Sequence, residues 1–140
     1  MKHLLIGLLL LAGVAPAALI AQTRPESAVF VAYYWRAKPG QESAYRDYIK
    51  NVAEGIDENA RRAGVFEEVW TVTPAPGTTA DWTHLRVFRL KNMAAADALG
   101  AGLDAATLRV VPEEAQRKAN SERSAGLRDL LRREVWTELR

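Results

Sequence analysis

Two residues set two positions apart, His84 and Arg86, carry the most chemistry in this sequence. An imidazole that titrates near neutrality can take or give a proton, and a neighbouring guanidinium can hold the oxyanion or carboxylate such chemistry creates. Both sit in the run Asp81 to Leu90, Asp-Trp-Thr-His-Leu-Arg-Val-Phe-Arg-Leu. Side chains alternate across a strand, so Trp82, His84, Arg86 and Phe88 share one face and Thr83, Leu85 and Val87 the other. The aliphatic face suits packing under helices, and the polar-aromatic face is expected to meet a ligand.

The flanking sequence supplies the elements that must position these residues. Ala28 to Ala37 is rich in β-branched and aromatic residues and stops at Lys38-Pro39-Gly40, which predicts a strand ending in a turn. A helix is expected from about Gln41 to Ala63, where Tyr45, Ile49, Val52, Ile56 and Ala60 recur at three- and four-residue steps and Gly64 stands at the C-terminal cap. Its other residues, among them Arg46, Asp47, Asp57 and Glu58, read as a solvated face. Val65 to Thr73 predicts a second strand, joined by the turn-rich segment Pro74 to Ala80 to the Asp81 to Leu90 strand as a hairpin. Beyond it, Asn92 caps a short helix from Met93 to about Leu99, interrupted by Gly100 and Gly102. Pro112-Glu113-Glu114 opens another helix to about Arg132. Glu134 to Leu139 closes the sheet as a fourth strand, unless Arg132 to Glu134 continue the helix. The order is that of an α+β, ferredoxin-like split βαβ unit, a four-stranded antiparallel sheet covered by helices on one face.

Lys2 and His3 precede an apolar run from Leu4 to Ala21 that ends in small residues, the pattern of a secretory signal peptide. Residues 1–21 are therefore expected to be removed, leaving 22–140 as a single domain that is periplasmic or secreted and free of the membrane. Ala15-Pro16-Ala17 offers a second cleavage point, and an uncleaved anchor is the alternative. Removing 21 residues from 140 leaves 119, and losing Lys2 takes the 19 basic residues to 18 against 17 acidic ones. That balance argues against a nucleic-acid footprint. With no cysteine and His84 the one histidine outside the leader, neither a disulfide nor a metal site is expected.

The strand ending at Lys38-Pro39-Gly40, the long amphipathic helix and the hairpin completed by Asp81 to Leu90 resemble the dimeric α/β-barrel superfamily, with its antibiotic-biosynthesis-monooxygenase-like and EthD-like domains. The resemblance covers roughly Ala28 to Leu99. It implies two sheets paired into a barrel, a pocket for a small apolar or aromatic molecule, and monooxygenase-like chemistry without a cofactor. A sheet covered on one face also demands a partner on physical grounds, so a homodimer is expected. On this reading Trp82, His84, Arg86 and Phe88 face the barrel interior. Phe30, Ala32, Tyr34 and Arg36 join them from the first strand and Phe66, Glu68 and Trp70 from the second, while Val29, Val31, Tyr33 and Trp35 turn to the helices. A one-residue bulge would reverse a strand.

The resulting candidates are His84 and Arg86 for catalysis, with Tyr34, Arg36, Glu68, Trp70, Trp82 and Phe88 for ligand binding. Plainer readings stand beside them: a buried His84 satisfied by Glu68 or a backbone carbonyl, Arg36 and Arg86 paired with Glu67 or Glu68, and tryptophans serving the core or a dimer interface. Some relatives in the superfamily bind haem, which makes His84 as an axial ligand a weaker reading. Ser121 and Ser124 lie in a charged helix with no histidine near, no Gly-x-Ser-x-Gly or phosphate-loop pattern occurs, and Gly100-Ala-Gly102 is too short to cradle a phosphate. Two functions remain: a cofactor-independent enzyme on a small aromatic or carbonyl compound, and a non-catalytic exported protein that binds a small ligand or simply dimerises.

Overall fold

Turn chemistry sets the ends of the first elements. The computed structural model describes residues 27–139, so the leader read at 1–21 lies outside the described residues. Strand β1 (Val29–Ala37) stops at the Lys-Pro-Gly turn, where Gly40 takes a left-handed φ of 73° that costs an L side chain dearly. Helix α1 (Glu42–Tyr48) runs without a break through a π-helical turn (Ile49–Ala53) into α2 (Glu54–Arg62). The rod closes in a Schellman motif: Gly64 N–H donates to the Arg61 carbonyl and Val65 N–H to the Ala60 carbonyl. Strands β2 (Glu68–Val72) and β3 (His84–Leu90), helices α3 (Met93–Val110) and α4 (Glu114–Leu127), and strand β4 (Arg128–Thr137) complete the chain.

The sheet has the order β2-β3-β1-β4 with every neighbouring pair antiparallel, the α+β arrangement expected from the element order. Three helical rods pack on one face over a core in which Val31, Leu90 and Leu99 are fully buried, with Phe66 and Phe88 nearly so.

Register decides which side chains meet the helices. β1 turns Val29, Val31, Tyr33 and Trp35 to them, as expected, and pairs Val31 with Phe88, Tyr33 with Arg86 and Trp35 with His84. Paired residues share a face, so His84, Arg86 and Phe88 lie under the helices rather than on the open side. The expected facing of β3 is thus reversed by one residue relative to β1. The driving cause is burial: Phe88 and Leu90 are 3% and 0% exposed there, whereas Leu85 and Val87 sit half-buried on the open face. The open face also carries Phe30, Tyr34, Trp70, Val72 and Trp136.

The elements depart from expectation at several points, β2 and β3 each beginning three residues late, at Glu68 and His84. Gly100 and Gly102 do not interrupt α3; a Cβ on Gly102 would run into the Val65 side chain, so this glycine lets the helix lie close against the chain after α2. Phe66 precedes β2 and is buried on the helix side, not the open side. The last helix ends at Leu127 and β4 begins at Arg128, because the free edge of β1 takes a partner along its whole length.

Candidate functional site

Two one-residue irregularities aim the side chains of the helix-facing site. In the π turn Glu54 N–H bonds the Ile49 carbonyl five residues back, which inserts one residue into the helical repeat. Before the turn Tyr45, Tyr48 and Ile49 are buried; after it Asp57 and Ala60 are. The extra residue turns Asp57 inward, where its Oδ2 accepts from Arg86 Nη2. In β4 a bulge opposite Tyr34 and Trp35 leaves Leu131 unpaired, so Arg132 pairs with Tyr34 on the open face while Arg128 pairs with Ala37 on the helix face.

Arg128 is the hub of that face. Its guanidinium stacks 3.7 Å from the Trp35 ring centroid, Nη1 donates to the Tyr45 hydroxyl at 2.6 Å, and Nε donates to Ser124 Oγ at 3.1 Å. The Tyr45 ring stands edge-on to His84, centroids 4.4 Å apart. Burial pushes the Tyr45 hydroxyl pKa up, with Arg128 pulling it back. Burial holds the His84 pKa below its ordinary value, and the positive charges of Arg46 and Arg128 add to the effect.

Thr83 Oγ1 lies 2.9 Å from His84 Nδ1, 2.7 Å from the Ala37 amide and 3.4 Å from the Trp35 carbonyl. The hydroxyl satisfies all three when it accepts from Nδ1–H and the amide and donates to the carbonyl. That assignment leaves Nε2 as an unprotonated base, and Nε2 is buried with no partner. Arg86 Nε is buried and unpartnered as well. Two positions along a strand separate these groups by about 7 Å. Burial also pushes the Asp57 carboxyl up, opposed by Arg86.

The sheet divides the residues expected to act together. His84, Arg86 and Phe88 are on the helix side, and Tyr34, Arg36, Glu68, Trp70 and Trp82 on the open side or its edges. Trp82 precedes β3 and stands edge-on to Tyr34, centroids 6.0 Å apart. Arg36 Nε donates to the Asp81 carbonyl rather than meeting a glutamate. Glu67 and Glu68 face Arg89, at 3.3 and 3.9 Å, so Asp57 and not either glutamate is the partner of Arg86. Tyr34, Trp136 and Arg132 all donate to Glu134 on the open face.

Asp57, expected on the solvated face of the helix, is buried against Arg86 instead, and with Tyr45, Trp35 and Arg128 it belongs to the helix-facing site without having been singled out for it by sequence. The one signal available for Asp57 was its place three residues before Ala60, on the edge of the apolar stripe.

Two clefts open between sheet and helices, and Trp35 and Arg128 line both. The smaller, about 220 Å³, adds Tyr33, Arg86, Phe88, Leu103 and Asp104. The larger, about 500 Å³, adds Tyr48, Arg117, Asn120, Ser121 and Ser124. A third, about 330 Å³, lies beyond Asp57 at the β2 edge against Glu54, Glu58, Phe66 and Trp70. Aromatic walls with guanidinium groups suit a planar anion. An axial haem ligand needs an imidazole nitrogen open to a broad cavity; His84 is 3% exposed, edge-on to Tyr45 and outside the lining of both shared clefts, so it does not fit that role. Among the described residues no group of three or more carboxylates and histidines is placed to hold a metal ion.

These features define a small α+β protein with a four-stranded antiparallel sheet and helices on one face. No family model and no curated protein matches the chain. Among solved structures it is similar to HapK from Hahella chejuensis, with a TM-score of 0.51 and 12% identity over 79% of this chain and 92% of that one. At that identity the likeness is one of fold alone.

Proposed function

We propose that this protein belongs with the dimeric α/β barrels and is a cofactor-independent enzyme, moving a proton on a small aromatic or carbonyl compound bound between sheet and helices. The observation that carries this reading is Arg128, a cation with no carboxylate at ion-pair distance among the described residues, stacked on Trp35 where the two clefts meet. It would hold an enolate or carboxylate oxygen, while Arg86, across β1 on β3, is already paired with Asp57. His84, kept neutral by burial and with Nε2 unpartnered, would supply the base; the Tyr45 ring stands edge-on against it while Arg128 holds the Tyr45 hydroxyl.

In this reading the open sheet face pairs with a second copy. Trp70, Val72 and Trp136 are 41%, 45% and 38% exposed there, and Phe30, Leu85 and Val87 extend the apolar surface. Glu134 already receives Tyr34, Arg132 and Trp136, so covering it would strand no charge. The leader pattern supports export.

Phenylpyruvate in D₂O tests the chemistry. Proton NMR should show exchange at the carbon beside the carbonyl at least tenfold faster with the protein than without it, and His84→Gln should abolish the excess. Binding without exchange would remove the enzyme and leave the second reading, a non-catalytic binding protein. The burial of His84 outside both clefts favours that second reading.

A further inference from the structure

Resting on the cleft as binding site, the geometry points to the class of ligand: we infer a two-part molecule, an aromatic ring joined through a short apolar chain to a carboxylate. The two clefts differ in chemistry. The smaller is walled by Tyr33, Phe88 and Leu103; apart from the shared Arg128 its one cation, Arg86, is already paired with Asp57, and Asp104 adds a carboxylate to the lining. Its volume of about 220 Å³ equals that of roughly seven water molecules, room for one ring with a substituent. The larger, about 500 Å³, is lined by hydroxyls and an amide, Ser121, Ser124 and Asn120, together with Arg117 and Arg128.

Charge compensation in the larger cleft is incomplete. Arg117 Nη1 donates only to the backbone carbonyls of Val111 and Pro112, and Arg128 only to hydroxyls. The carboxylate in the lining, Asp129, faces Lys38 at 3.8 Å. Two guanidinium groups therefore lack a counter-anion among the described residues, and the ring compartment shares Trp35 and Arg128 with this one. A ligand that uses both compartments puts its ring against Phe88, crosses the Trp35–Arg128 waist, and sets its carboxylate between Arg117 and Arg128.

Calorimetric titration of the full chain with phenylacetate, 4-phenylbutyrate and 6-phenylhexanoate tests the proposal. Affinity should rise at least tenfold along the series, and 6-phenylhexanamide, lacking the charge, should bind at least tenfold more weakly than its acid. Arg117→Ala should cost the longest acid about tenfold and phenylacetate less than twofold. Arg117 also ties down the end of α3, so Ser121→Asp, at an exposed position in the same compartment, provides a second variant with the same expected pattern. Equal affinity for the long acid and its amide, or equal losses for short and long acids, would overturn the two-part ligand while leaving the cleft as a binding site. Failure of every acid to bind would remove the cleft reading and this proposal together.

Discussion

Replacing Arg86 by methionine is the sharpest perturbation of the pair at the centre of the molecule. Arg86 and Asp57 side chains are each 10% exposed, so solvent screens little of their interaction. Methionine keeps most of the arginine stem but removes the charge, the bond to Asp57 Oδ2 and the cation–π contact 5.4 Å from the Phe88 ring. Removing one partner of a buried pair costs about 3–5 kcal/mol, against a total stability of roughly 5–15 kcal/mol for a domain of this kind. With a urea slope of about 1.5 kcal/mol per molar, the midpoint should fall by about 2–3 M. The loss should also depend on pH. Burial already raises the Asp57 pKa above its ordinary 3.8 and Arg86 restrains the rise, so without Arg86 it climbs further. The unfolded chain gives up this proton near 3.8 while the folded variant still holds it, so folding stability falls as pH rises from there to the folded pKa, then levels. The deficit of Arg86→Met should therefore be smallest near pH 4 and grow toward pH 7. Adding Asp57→Leu should bring stability back to within about 1 kcal/mol of the parent, because apolar replacement of both partners is near neutral or favourable. A single variant within about 1 kcal/mol of the parent at pH 7, a pH-independent loss, or a double variant as unstable as the single would refute the reasoning.

The depressed His84 pKa has the opposite sign. Below the ordinary value of 6.5 the unfolded chain binds a proton that the folded site resists, so the melting temperature should fall as pH drops through this range and plateau above it. His84→Gln should flatten that slope, and an unchanged slope would place the titration elsewhere. For the open face, sedimentation velocity should give twice the chain mass, and Trp70→Glu should raise the dissociation constant at least 100-fold, about 3 kcal/mol, by placing a charge in the interface. A wild-type monomer at tens of micromolar would exclude pairing through this face.

Much of the scaffold was legible because its signals are local. Lys38-Pro39-Gly40 and Gly64 mark positions where backbone conformation restricts residue choice, and both glycines have positive φ. Asn92 caps α3 as its type suggests, accepting from the Ala95 amide. The strand faces were harder, because period two states that two sets of residues are separated and not which set is inside. In β3 one set offers Phe88 and Leu90 with two charged or titratable groups, the other Leu85 and Val87 with Arg89. Core volume settles the choice, and volume is a property of the assembled layers. Phe88 and Leu90 fill the space under Leu99 and Ala96, and they carry His84 and Arg86 inward with them.

That inward displacement explains why the polar site is built from irregular backbone. A regular helix of 3.6 residues per turn would present an apolar residue opposite Arg86, leaving a buried cation unpaired at several kcal/mol. The π turn rotates the following residues so that Asp57 meets it. A regular β4 would have kept Arg132 and Arg128 on one face; the bulge at Leu131 sends Arg128 to the helices, where it engages Trp35, Tyr45 and Ser124. Each insertion costs one unpaired or stretched set of backbone bonds and places one charged side chain. Neither has a residue signature, since Ile49 to Ala53 and Leu130 to Arg132 are ordinary helix and strand sequence. The asymmetry between the two charges is informative. Asp57 neutralises Arg86, whereas Arg128 reaches its cleft with hydroxyls for partners and, among the described residues, no carboxylate, so the bulge adds a charge that these residues leave uncompensated. Structural economy accounts for the first irregularity; the anion proposed for the cleft would account for the second.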